Sequence, residues 1–495
     1  MSLVGLDLNS SRVRAVNGAL GDYPLPLPLS VSGEELPLVL SLQAKQVEVG
    51  AAGEHLRRRL PHLTCHGFLP HLGAPRRWKA GRHDLDSAGA VEQVWRHLGK
   101  HVAKSNLVLS LPPYLSGGQA DQVRALAQKS GIQVLGSLPS TLAAALAGYA
   151  DDHWVGGVMV LDVDEHALSA ALIEAVDHTA FLRETISLPQ FGWHAWRDRL
   201  LDSLADGCVL QTRRDPRESG QAEQGLYEQL GLLLDAHAQN RLAQLTIQGA
   251  SWFQNLIVTP EETAACCRLL VAAVTRELHE LLASLHPERL PHALLLTAEA
   301  DRLPGLTPAL AHLVEPFRVE AHNGMNGHHR PPSDDDFGIN LLRDSGEDRW
   351  HVVPLGKNAC AQAAHALAAF FQKGDLPAGH LETSAPLPLA WPIEAGPARL
   401  TFQGRDHFLG GSTFLIGTES GCHLRIDPAH HPGVAGRHCE VYYDHRTYVL
   451  FNRSEDGTWI NDAPVQSSSV LHPGDRIRLG VGGPVIKFLG QPPRS

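Results

Sequence analysis

Two short stretches of this 495-residue chain place an acidic residue at the end of an apolar run, just before a turn and a second apolar run. They are Val4-Gly5-Leu6-Asp7, followed by Asn9-Ser10-Ser11, and Met159-Val160-Leu161-Asp162, followed by Asp164-Glu165-His166. Acidic, amide and hydroxyl side chains in such positions either close a hairpin by bonding to nearby backbone or present themselves to a ligand. Both readings stay open for Asp7, Ser10 and Ser11. Other signals carry no chemistry. Asp336-Phe337-Gly338 has no catalytic-loop partner, Asp334 to Asp336 is an acidic run of the solvated type, and His328-His329 and His430-His431 lack ligand spacing. The chain contains no G-x-x-x-x-G-K-[ST] loop and no G-x-S-x-G elbow.

The elements that hold these residues follow from periodicity. Residues 107–149 read as a buried strand ended by Pro112-Pro113, a helix with Ala120, Val123, Leu126 and Ala127 on one face, a short strand and an Ala-rich helix. Thr259, Pro260 and Glu261-Glu262 predict the start of a long helix reaching about Leu285. Residues 321–350 read as an irregular polar insertion before a last helix near 358–372. Beyond a Pro-rich stretch the helical period vanishes and short β runs alternate with turns, the pattern of an all-β sandwich.

The segment NLVLSLPPYLSGGQADQVRALAQKSGIQVLGSLPSTLAAALAGY resembles the middle of the first lobe of the ATPase domain of the seventy-kilodalton heat-shock chaperones. The resemblance implies an α/β actin-like fold of two duplicated lobes over residues 1–375. It also implies a nucleotide set of Asp7, Asn9, Ser10, Ser11, Asp162, Gly192 and Arg302, with Mg-ATP or Mg-ADP as ligand if binding is retained. Residue by residue, the family's G-I-D-L-G-T-T stands here as Gly5-Leu6-Asp7-Leu8-Asn9-Ser10-Ser11, with Asn9 expected to tolerate the left-handed backbone a glycine would adopt. Its D-L-G-G-G-T stands as Asp162-Val163-Asp164-Glu165-His166-Ala167. A carboxylate about 4 Å from a phosphate charge costs about 1 kcal/mol in water and about 4 at an effective dielectric of 20. The larger figure weakens binding by about three powers of ten. The family's catalytic lysine and glutamate correspond to Leu69 and Ser140, a late aspartate to Ser169, and the adenosine motif to Ala298-Glu299-Ala300-Asp301-Arg302-Leu303-Pro304. The expectation is a pseudo-ATPase with no catalytic residue.

Segments 414–426, 434–441, 452–462 and 471–480 resemble in order and spacing the forkhead-associated (FHA) domain, which binds phosphothreonine peptides through loops at one end of a β-sandwich. The sandwich is expected over residues 397–490, joined by a linker at 376–396. The resemblance implies a peptide-binding set of Thr418, Arg437, His438, Arg453, Ser454, Asp456, Gly457 and Thr458. Thr418, Ala435, Gly436 and Asp456 replace the family's arginine, serine, basic residue and asparagine, and Trp459 is either a contact residue or core.

A net charge of −11 excludes a general nucleic-acid footprint, and no apolar run is long enough to span a bilayer. The N-terminus lacks a secretory pattern, and seven scattered cysteines without a C-x-x-C point to reduced thiols and a cytoplasmic protein. The abundance of Arg over Lys, with Ala, Leu, Pro and His, suggests a GC-rich bacterial genome. The functional expectation is a non-catalytic adaptor whose FHA module takes a protein partner, with no nucleic acid and no membrane. The alternative is a weak ATP- or ADP-binding switch using Asp7, Ser10, Ser11 and Arg302, with an FHA module that reads phosphothreonine in kinase signalling.

Overall fold

The computed structural model describes residues 2–490 apart from 20–22, 31–32, 152–153, 155, 250, 287–288, 312, 314–350, 378–380, 388–397, 404, 410–412, 445–446 and 462. The expected insertion at 321–350, with its His and Asp runs, therefore lies outside the described residues.

Two sheets of the same topology form the body. In the first, β1 (Leu3–Leu8) lies antiparallel to β2 (Arg12–Gly18), and β3 (Leu25–Pro26) and β4 (Glu35–Pro37) both pair with β2. Helix α1 (Ser87–Val102), capped by the Asp86 side chain, leads to β5 (Asn106–Leu111), which joins β1 in parallel. Helix α2 (Gly117–Lys129) starts on a Ser116/Gln119 capping box. It is followed by β6 (Gln133–Pro139) and α3 (Ser140–Asp151).

The second sheet repeats the plan. Strand β7 (Gly157–Val163) is antiparallel to β8 (Leu168–Val176), which pairs with β9 (Thr179–Leu188). After helices α4 (Trp193–Thr212), α5 (Gly220–Ala238) and α6 (Pro260–Ala283), strand β10 (Ala293–Leu296) joins β7 in parallel. Strand β11 (His351–Pro354) joins β10, and α7 (Ala359–Lys373) closes the unit. The sheet orders, β6-β5-β1-β2-β3 and β11-β10-β7-β8-β9, correspond strand for strand. The echo between Asp7 and Asp162 is thus a structural duplication that puts the two turns in equivalent places.

Helices α3 and α7 are sandwiched between the sheets, and an Ala-rich core containing Ala143, Ala144, Ala363, Ala364 and Ala368 lets them pack closely. The closest approach falls at Gly5, where an added Cβ would lie 1.9 Å from the Ala361 carbonyl oxygen and 2.5 Å from the His365 amide. Only a residue without a side chain lets α7 cross β1 there.

One stretch differs from expectation. Within the Pro-rich segment, β12 (Ser384–Pro386) pairs antiparallel with β9, so part of the expected linker is an edge strand of the second sheet. Proline is tolerated at such an edge because no further strand needs its missing amide.

The sandwich follows. One sheet has β14 (Arg405–Phe408), β13 (Arg399–Phe402), β23 (Val485–Leu489), β22 (Arg476–Leu479), β19 (Thr458–Ile460) and β20 (Ala463–Val465) in that order. The other runs β16 (Leu424–Arg425), β15 (Phe414–Gly417), β17 (Cys439–Tyr443), β18 (Tyr448–Asn452), β21 (Ser468–Leu471). Its core is separate from those of the body.

Gly5→Ala should destabilise the body by about 1–3 kcal/mol through overpacking. Gly225→Ala, on α5 where an added Cβ meets open space, should stabilise it by about 0.5–1 kcal/mol. Chemical denaturation of the two variants checks both signs.

Candidate functional site

The turns after β1 and β7 face each other across the cleft between the lobes, and one carboxylate joins them. Asp164 Oδ2 accepts the Ser10 amide at 2.8 Å and the Tyr114 hydroxyl at 2.6 Å. Its Oδ1 accepts the His166 amide at 2.8 Å and the Ala167 amide at 3.0 Å. Backbone amides of two glycine-type turns, aimed at one point, make an anion cradle; here the anion is a side chain of the chain itself, 3% exposed. The acidic residue therefore does more than repel an anion, because Asp164 itself takes up the amides of both turns.

Asn9 also behaves differently from expectation. It is absent from the residues with positive φ. Its side-chain oxygen instead accepts the Ser11 and Arg12 amides at 2.9 and 3.0 Å, closing the turn internally. The Ser10 hydroxyl bonds Tyr114. On the other turn, Gly192 starts α4 so close to His166 that an added Cβ would meet its carbonyl oxygen at 2.5 Å. The first amide of α4, at Trp193, donates to the Asp164 carbonyl at 2.8 Å, so this helix terminus is also satisfied from within.

Glu165 is buried and receives guanidinium donors from Arg57 of the first lobe and Arg197 of α4. Burial opposes its charge, but Arg197 and Arg57 outweigh that and hold its carboxyl below the usual glutamate range. Further along the cleft Glu299, in the segment expected to hold adenosine, accepts Arg14 Nη2 at 2.8 Å and lies 3.6 Å from Arg12. Arg14 also bonds Glu35 at 2.7 Å and the Lys357 carbonyl at 2.9 Å. Against the desolvation of Glu299, the two arginines pull its pKa down to about 2. Asp7 experiences the opposite balance. Its desolvation exceeds the attraction of Arg12, 3.8 Å away and shared with two glutamates, and its pKa is pushed up to about 6. Asp162 is held by the hydroxyls of Ser140 at 2.5 Å and Thr297 at 2.9 Å, with burial raising its pKa.

The remaining expected positions are structural. Leu69 is fully buried in the first-lobe core. Ser169 pairs with Ser187 at 2.9 Å. Arg302 forms a partly exposed ion pair with Asp235 at 2.8 Å. A triphosphate does not fit these residues in the family's pose: the amide donors are taken by Asp164, and Glu165 and Glu299 line the same cleft. The arginines Arg12, Arg14, Arg57 and Arg197 and the hydroxyl of Tyr114 were not singled out from sequence. Arg12 and Arg14, two apart on a buried strand, were the available signal.

At the sandwich end, Thr418 and Glu419 amides donate to the Ala435 and Gly436 carbonyls at 3.2 and 2.9 Å. The side chain of His438 is buried, its Nδ1 accepting the Ala435 amide at 3.1 Å, which leaves Nε2–H to donate to the Gly457 carbonyl at 2.7 Å. It staples two loops together, and burial lowers its pKa. Ser454 Oγ accepts the Asp456 amide at 3.1 Å, Thr458 Oγ1 donates to Asn452 at 2.8 Å, and Gly457 adopts φ 80°. Arg437 is paired with Glu419 at 3.0 Å and Arg453 with Glu440 at 2.5 Å, while Asp456 is exposed. Trp459 is half-buried under Arg478, 4.9 Å from its ring centroid.

Residues 414–480 match the family model of the FHA domain. Chaperone protein dnaK3 of Synechocystis sp. is 26% identical over 138 residues, covering 28% of this chain. The match spans only 18% of that relative's length. The chain thus carries an FHA domain at its C-terminus, a protein-interaction module, behind a mixed α/β region weakly similar to a seventy-kilodalton chaperone. No described helix is long and apolar enough to cross a membrane.

The two shifted carboxyls give opposite pH limbs. Folding favours protonated Asp7, so its contribution is fully present below its unfolded pKa near 3.8 and is lost as pH rises through about 6. Glu299 favours the ionised form, so its contribution is present above about 4.5 and lost as pH falls towards 2. Each window of about two pKa units amounts to about 3 kcal/mol. Urea midpoints between pH 2.5 and 7 should show Asp7→Asn flattening the upper window and Glu299→Gln the lower.

Proposed function

We propose that this chain is a non-catalytic adaptor, in which a chaperone-like body serves as a nucleotide-independent scaffold for an FHA module that captures a protein partner. The observation that carries this reading is the Asp164 carboxylate bonded to amides of both lobes. A body that supplies its own anion needs none from solution to close its cleft. With Leu69 and Ser140 at the positions of the family's catalytic lysine and glutamate, most of the side chains that would position a phosphoryl group and a water for hydrolysis are replaced.

Partner recognition is proposed to be independent of phosphate. Arg437 and Arg453 each already face a glutamate, and Asp456 adds a negative charge at the same end. Exposed ion pairs contribute only about 0–1 kcal/mol, so their weight lies in cancelling the field at the loops rather than in stability. The Gly417–Gly436 and His438–Gly457 contacts keep the loop end in one shape, which suits a peptide read by shape and backbone hydrogen bonds.

Thermal unfolding with Mg-ATP or Mg-ADP tests the scaffold reading. Ligand at a hundredfold its dissociation constant stabilises by about 2.7 kcal/mol. The wild-type protein should show no shift, whereas a clear shift abolished by Asp7→Ala would refute the reading. Partner capture from lysate treated with phosphatase should match capture from untreated lysate. Partners lost on treatment and on Arg437→Ala would establish phosphate recognition instead.

A further inference from the structure

The first hairpin of the sandwich is seated on the body through a set of groups that neither the cleft nor the recognition loops use. Arg399 of β13 is 2% exposed; its guanidinium lies 3.7 Å from the centroid of the Tyr23 ring, and its Nε lies 3.2 Å from Asp406 Oδ2 of β14. The Tyr23 hydroxyl donates to the same carboxylate and accepts Gln362 Nε2 of α7 at 2.9 Å. Thr401 donates to the other oxygen of Asp406 at 2.6 Å. Nearby, Arg405 reaches Asp301 at 3.7 Å.

These partners come from three parts of the body. Tyr23 follows β2 of the first lobe, Gln362 sits on the helix between the lobes, and Asp301 follows β10 of the second lobe. The module therefore touches both lobes at once. A buried guanidinium–carboxylate pair on a surface hairpin carries a desolvation cost that its own attraction barely offsets. The face of an aromatic ring and a phenol donor supply what the pair lacks, a cation–π contact and a charge-assisted hydrogen bond. Burial, followed by the Asp406 charge, raises the Tyr23 phenol well above its ordinary pKa, so it stays a donor across the physiological range.

The strand register shows what this seat leaves open. Arg399 pairs with Leu489, and Arg476 with Lys487, so Arg399 lies at the end of the sheet where β22 begins. The recognition loops lie where β22 ends, because the Gly480 amide donates to the Gly457 carbonyl at 3.0 Å. The seat and the loops occupy opposite ends of that strand.

We propose that Tyr23, Arg399 and Asp406 form an intramolecular docking interface that fixes the FHA module across both lobes, with its recognition loops facing away from the body. Lobe closure and module placement are then linked: opening the cleft separates Tyr23 from Asp301 and removes one side of the seat. This holds whether or not the partner is phosphorylated and whether or not nucleotide binds.

Spin-label distance measurement on the full chain tests it, with cysteines introduced at Leu269 of the second lobe and Val481 of the module, 74% and 84% exposed. The half-buried Cys266 and Cys422 are replaced by serine to avoid labelling them. A docked module gives one narrow distance distribution, broadened severalfold by Tyr23→Ala and, from the module's side, by Arg399→Ala. The double variant should be no broader than either single one. Circular dichroism confirms that each variant is folded, and Arg399→Ala keeps the test alive if Tyr23→Ala is not. A broad distribution in the unsubstituted chain, or a narrow one that survives both substitutions, would overturn the proposal.

Discussion

Everything around the cleft depends on where one carboxylate sits. Asp164 collects the amides of Ser10, His166 and Ala167 and the hydroxyl of Tyr114, and those donors belong to opposite lobes. Hydrogen bonds to a carboxylate in a poorly solvated setting are worth about 1.5–3 kcal/mol each, and leaving such donors unsatisfied costs comparable amounts. Two hairpin turns that would otherwise expose orphan amides are thereby joined. Acidic residues in these turns put an anion of the chain itself at the point where the amides of both lobes converge.

The ionic groups on either side extend the same logic. Glu165 bridges Arg57 and Arg197, and Glu299 bridges to Arg14, so carboxylates of the second lobe meet guanidiniums of the first. Buried ion pairs add little net stability over apolar contacts, yet losing one partner strands the other and is expensive. Their effect here is to specify one closed arrangement. Gly5 and Gly192 serve that arrangement from the backbone side, by letting α7 and the α4 terminus approach without side chains between. The FHA module, seated on Tyr23 and Asp301, adds a contact that spans the same two lobes.

Much of the architecture was legible in the chain. The two strand–Asp–turn units, the Thr259–Glu262 cap and the change to short alternating β runs all follow from local periodicity, which the fold did not override. The turn after β7 was legible in composition but not in geometry. Three polar residues in place of glycines read as repulsion, because a sequence does not show whether a carboxylate points at a ligand or at its neighbours' amides. Asn9 is similar: its amide side chain replaces the missing glycine by capping the turn, not by adopting glycine's backbone. The cross-lobe pairs were hidden because Arg14 and Glu299 are 285 residues apart. The edge strand at Ser384–Pro386 was hidden because its proline content matches that of a linker.

Amide hydrogen exchange at Ser10, His166 and Ala167 in the nucleotide-free protein measures the self-supplied anion directly. If Asp164 holds these donors, their exchange is slow without nucleotide, unchanged by Mg-ATP and accelerated by Asp164→Ala. Fast exchange in the free protein, slowed when Mg-ATP is added, would show that the cradle awaits an external phosphate and would contradict the account.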